Sequence, residues 1–123
     1  MNDFDLQRAS VLRDLVEFRV PVAQAAAAMA MFPWDSEREL VTFTRADGLR
    51  AIARLARGVA TGADLRAWAE ALEGRDDVGL EPGAEGVLKD FLFALATPEL
   101  EGELTPEAAA NWETALRHAL GER

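Results

Sequence analysis

The chain has 123 residues, half of them apolar, and carries 22 acids against 13 lysines and arginines, for a formal net charge of −9. That length gives room for one domain built on one core. The absence of cysteine excludes disulfide and thiolate chemistry, and the negative field disfavours nucleic acid and anionic membranes as partners.

The opening residues, MNDFDLQR, have neither the basic nor the apolar region of a signal peptide. Asp3 or Asp5 can cap a first helix that runs to about Arg19, with Leu12, Leu15, Val16 and Arg19 along one stripe. Val20-Pro21 breaks it, and Pro21 suits the first position of a second helix. The alanine-rich run that follows favours helix strongly. Val22, Met29 and Phe32 are the side chains that fill gaps around it. The apolar run from Val20 to Phe32 is broken by Pro21 and Gln24, and it is shorter than the roughly 20 residues that cross a bilayer. A cytosolic protein is therefore the expectation.

Pro33 ends the second helix, and Trp34 to Glu37 reads as a connection. Trp34 is expected to close one end of the core, since Trp is buried on average; exposed, it would be a binding anchor. Glu39 to Phe43 has strand-like content with no evident pairing partner, so it reads as an extended link or the lead into a helix. Thr44 and Asp47 then predict a helix start near Arg45, with Leu49, Ile52, Ala53 and Ala56 as its apolar face and Gly58 as its stop. Gly48 lies inside that helix and weakens it slightly.

Thr61 to Glu81 is the stretch around which the rest is organised. Thr61 and Asp64 again make a capping pair. Leu65, Trp68, Ala69 and Leu72 recur at i, i+3, i+4 and i+7 on one helical face, and Gly74 ends the helix. Beyond Pro82-Gly83, Leu88, Phe91, Leu92 and Leu95 give the cleanest stripe in the chain, with Phe93 off it. Glu99 to Leu104 is an acidic connection. Thr105-Pro106-Glu107 starts a last helix whose inner face is Ala109, Trp112, Leu116, Ala119 and Leu120, and Gly121 stops it. The expected fold is all-α, a single-domain bundle over residues 1–123 of five or six mostly antiparallel helices.

Charge is distributed unevenly along this plan. Residues 1–60 hold eight acids and eight bases, whereas residues 61–123 hold fourteen acids and five bases. The densest acids, Glu70, Glu73, Asp76, Asp77 and Glu81, follow one another across a helix end and a loop. Such a cluster draws basic partners. The alternative is that Arg75 or a helix end neutralises Asp76 and Asp77 and so fixes the loop. Arg50, Arg54 and Arg57 form a basic stripe at i, i+4 and i+7, expected to pair internally with Glu70, Glu73 or Asp77.

Catalytic signals are few. His118 sits near a helix C-terminus, where the dipole favours an imidazolium, and no serine is placed beside it in sequence. Lys89 adjoins Asp90 on a helix exterior, and no glycine-rich phosphate loop occurs. Glu73, Asp76, Asp77 and Glu81 are oxygen ligands that could hold Mg²⁺ or Ca²⁺ if they converged, although their spacing matches no EF-hand loop.

The segments SERELVTFTRADGLRAI, LRAWAEALEGRDDVGLE and LATPELEGELT resemble, over about residues 35–105, uncharacterised small acidic helical proteins of bacteria. In size, acidity and helix content the chain also resembles immunity proteins, which neutralise a nuclease toxin by covering its basic active site. That resemblance carries over no functional residues; with the charge split, the expectation is an acidic protein-binding domain, an immunity- or antitoxin-like inhibitor in which Glu70, Glu73, Asp76, Asp77 and Glu81 face a basic partner, with no catalytic residues, no cofactor, no nucleic acid and no membrane. The rival expectations are a metal-assisted hydrolase using Glu73, Asp76, Asp77 and Glu81, and a homo-oligomer joined through exposed apolar residues such as Trp34 and Phe93.

Overall fold

Helix α4 (Gly62–Leu72) is the hub of the structure, a computed structural model that describes residues 2–119. It packs against α1 (Asp3–Val16), α2 (Val22–Met29), α3 (Arg45–Ala56) and α5 (Glu85–Ala96). Its capping box is complete, with Thr61 and Asp64 each bonding the other's backbone N–H. Leu65, Trp68, Ala69 and Leu72 are all buried, as their spacing predicts. Trp68 occupies the centre. Its ring stacks on Phe18 at 5.1 Å and tilts against Phe43 at 5.5 Å. Its Nε1–H donates to the Leu15 carbonyl at 2.9 Å, so the indole's one polar atom is satisfied inside the core.

The starts of α3 and α7 and the stop of α3 hold as predicted, whereas α1 ends at Val16 rather than near Arg19, Pro21 is the N-cap of α2 rather than its first residue, and α2 ends at Met29, before Pro33. Thr44 and Asp47 form a second complete capping box, and Thr105 caps α7 (Pro106–His118) through the Ala108 N–H. Gly58 and Gly74 take the positive φ that stops α3 and α4. Helix α1 differs in its cap: Asn2, rather than Asp3 or Asp5, accepts from the Asp5 N–H. Leu88, Phe91, Leu92 and Leu95 are buried on α5. A four-residue helix, α6 (Pro98–Glu101), lies within the acidic connection and buries nothing. Leu120 and Gly121 fall outside the described residues. No described helix is long and apolar enough to cross a membrane.

Three expectations need correction. The described chain has seven helices, not five or six, and it also has a sheet. The ELVTF segment does find a partner: β1 (Val41–Phe43) pairs in parallel with β2 (Val78–Leu80), Val41 opposite Val78 and Phe43 opposite Leu80. Three-residue strands are too short to show alternation, and a parallel pair has no hairpin turn to announce it; here α3 and α4 make the crossover. Third, α3 is rotated from the predicted face. Gly48, Ala51 and Ile52 are buried, whereas Ala53 and Ala56 are exposed. A Cβ on Gly48 would lie 3.0 Å from Leu116 Cδ1 and 3.3 Å from Phe91 Cε2. The glycine that weakens the helix in isolation is what lets α7 and α5 approach it.

Candidate functional site

The sheet fixes where the central acids go. Asp77 immediately precedes β2, and its carbonyl accepts the N–H groups of Leu40 and Val41 at 2.8 and 3.2 Å. Held there, its side chain turns inward and is 0 % exposed. Arg75 Nε and Nη2 donate to its two oxygens at 2.9 and 3.1 Å, and Arg8 Nε donates to Oδ2 at 2.6 Å. Arg8 and Arg75 are themselves buried, at 4 % and 6 % exposure.

Two guanidinium groups around one carboxylate leave a positive charge to accommodate. The loop after α2 supplies the remainder. Arg8 Nη2 donates to the carbonyls of Pro33 and Asp35 at 2.7 and 3.0 Å, and Arg75 Nη2 donates to the Pro33 carbonyl at 3.0 Å. The Arg75 guanidinium lies 4.7 Å from the centroid of the Trp34 ring, and that of Arg8 lies 6.0 Å from that of Phe32. Carbonyl dipoles and ring faces are both favourable surroundings for a desolvated guanidinium. The Asp76 N–H adds a backbone bond to the Trp34 carbonyl at 3.1 Å. Residues 32–35, which have no regular structure of their own beyond turns and bends, are thereby fastened to α1 and to the segment before β2.

Trp34 is not the end-cap of the core that its burial tendency suggests. It stays 49 % exposed, with one ring face resting on Arg75. Phe4, Met31 and Phe93 are exposed as well, and Phe4 meets Phe32 edge-on at 5.4 Å.

The five predicted binding acids do not form one surface. Asp77 is withdrawn into the core, so it cannot face a partner. Glu81 is half-buried, and its Oε1 accepts the Arg45 backbone N–H at 2.8 Å at the start of α3 while its carboxylate pairs with the Arg45 side chain at 3.3 Å. Glu70 is exposed but pairs with Arg66 at 3.6 Å; Arg66 also reaches Glu99 at 3.2 Å. Glu73, partly buried at the end of α4, and the exposed Asp76 have no ion pair among the described residues. Of the two neutralising routes considered for the loop, the Arg75 route is the one used, and only for Asp77.

The arginine stripe also behaves differently from expectation. Arg50 pairs with Asp47 at 2.7 Å, and none of Arg50, Arg54 and Arg57 pairs with Glu70, Glu73 or Asp77. Among the described residues no three His, Asp or Glu side chains converge as a metal would require; of the acids proposed for that role, Asp77 and Glu81 are engaged by arginines. His118, Lys89 and Asp90 are exposed.

The residue that reading the sequence missed is Arg8. It stands at i−4 and i−7 from Leu12 and Leu15, on the buried stripe of α1. A charge on an apolar stripe is the available signal that a buried counter-charge exists elsewhere in the chain. No family model, no curated protein and no solved structure matches this chain.

Proposed function

We propose that this domain binds a basic protein partner, with Trp34 as the anchor and the exposed Asp76, whose N–H bonds the Trp34 carbonyl, as an acid beside it. The reading rests on one observation: a half-exposed tryptophan on a loop whose backbone and ring are both held by a buried ion triad. Loops usually lose conformational freedom on binding, and that loss weakens association. A loop already held rigid avoids most of it, and a rigid aromatic is the commonest kind of binding hot spot. The net charge of −9 favours a basic partner and speeds its approach. Glu70 and Glu73 add to that field, whereas Asp77 and Glu81 act within the fold. The concrete version is an immunity- or antitoxin-like inhibitor, in which Trp34 enters a pocket on the partner and Asp76 meets a lysine or arginine at the rim.

A photoreactive amino acid placed at position 34 is the test, with the same group at the exposed position 89 as control. The expected result in the native cell is a crosslink to a basic protein from position 34 alone. Equal labelling from both positions, or none from position 34, overturns the reading. With the captured partner purified, Asp76→Lys is expected to slow association about tenfold at low salt, an effect that shrinks as salt rises. A second reading is supported by the exposed Phe4, Met31 and Phe93: a second copy of this chain takes the partner's place. Light scattering separates the two, since only the second gives a dimer mass for the purified chain and a monomer mass for Trp34→Ala.

A further inference from the structure

A separate corner of the molecule, independent of the Trp34 surface, holds a cation with no counter-charge. Arg54, on α3, is partly buried, and its guanidinium lies 4.8 Å from the centroid of the Phe18 ring. Its Nε is shut off from water with no hydrogen-bond partner. Among the described residues no acid lies within ion-pair distance of it. Arg13 and Arg57 also lack an ion pair among the described residues, but both are exposed to water. In a chain with so many acids, a half-buried arginine left unpaired is an unmet electrostatic demand.

Arg54 lines a cleft of about 400 Å³ with Phe18, Val20, Pro21, Val59 and Ala60 among its walls. Phe18 has φ +56°, the one described non-glycine residue in the left-handed region. It sits just past the end of α1, where the N–H groups of Phe18 and Arg19 close on the Leu15 and Asp14 carbonyls at 3.3 and 2.9 Å, and its ring meets both Trp68 and Arg54. The cleft also takes in the start of α2, an eight-residue helix that no side chain caps. The other charges in the cleft are committed: Arg19 pairs with Glu17 at 3.3 Å, and Asp64 accepts the Thr61 N–H at 2.9 Å.

We infer that this cleft binds a small organic monocarboxylate with a short apolar tail. One guanidinium suits one carboxylate, whose planar oxygens match its planar fork. The aliphatic walls suit an apolar tail. Asp64 at the rim disfavours a dianion such as phosphate, which usually gathers several cations.

The test is an amide NMR titration of the full chain with butyrate, and with butanamide as its neutral isostere, at constant ionic strength. Butyrate is expected to shift the signals of Val22, Val59 and Ala60, which line the cleft, saturably, and butanamide is not. Arg54→Gln is expected to keep the native spectrum and weaken butyrate at least tenfold. Arg54→Lys, which keeps the charge and loses the fork, is expected to fall between the two and serves if Arg54→Gln does not fold. Equal shifts from butanamide, no saturable shift from butyrate, or undiminished binding by both variants overturns the inference.

Discussion

Arg75 and Arg54 each lie over an aromatic ring at nearly the same distance, 4.7 Å from Trp34 and 4.8 Å from Phe18, and there the likeness ends. Arg75 has a carboxylate on one edge and a carbonyl on another, and it shares both with Arg8. Arg54 has the ring and no acid. The first corner is closed: neither Arg8 nor Arg75 has a water-excluded side-chain nitrogen without an acceptor, and the outcome is a pinned loop with Trp34 on top. The second is open: a cation waits beside a cleft. The same residue pair, Arg on aromatic, thus serves internal order in one place and is available to a ligand in the other. What decides between them is whether the chain itself delivers an acid.

Removing the acid that closes the first corner gives the largest effect. Asp77→Ala leaves two buried guanidinium groups without a counter-ion and is expected to destabilise the protein by about 3–5 kcal/mol in urea denaturation. Asp76→Ala, one position away and exposed, should fall within about 0.5 kcal/mol of the parent. Equal losses would erase the distinction between the two aspartates. Next comes Trp34→Ala. It removes a cation–π contact and leaves the triad intact, so the expected loss is about 1 kcal/mol, with binding of the proposed partner reduced far more. Arg54→Gln follows. It gives up one partly buried ring contact and relieves an unpaired charge, so stability should change by no more than about 0.5–1 kcal/mol. A loss as large as that of Asp77→Ala would mean that the open corner is structural after all. Salt gives the smallest effect. The cost of Asp77→Ala should vary by less than about 0.5 kcal/mol between low and physiological ionic strength, because buried pairs are poorly screened.

The comparison also shows which parts of the molecule are legible in the chain. Capping boxes at Thr44 and Thr61, the stripe through Trp68 and the glycine stops at 58 and 74 all depend on residues within a turn or two of one another. Such features are written locally. The Arg8–Asp77 pair spans 69 positions, and the β1–β2 ladder joins segments separated by two helices. Nothing near Asp77 in sequence distinguishes it from Asp76. Their difference comes from the two bonds that Leu40 and Val41 make to the Asp77 carbonyl, which set the direction of the chain as it enters β2. The acidic run at 70–81 therefore reads as one cluster in sequence and divides in space into a buried lock, a helix-start ligand and surface charges. Arg8 on its apolar stripe was the one clue to that division. The rotation of α3 was hidden for a related reason: Gly48 faces Leu116 and Phe91, and a close approach between helices is invisible to the periodicity of either one.

The buried triad, rather than the loop's own residues, holds Trp34 in place. Amide hydrogen exchange at Asp76, whose N–H bonds the Trp34 carbonyl, tests it most directly in the parent protein and in Arg8→Met, which retains the Arg75–Asp77 pair. Asp76 is expected to be protected in the parent and to exchange much faster in the variant, while Leu72 within α4 stays protected in both. An Asp76 amide that exchanges freely in the parent, or equally slowly in both proteins, would contradict it.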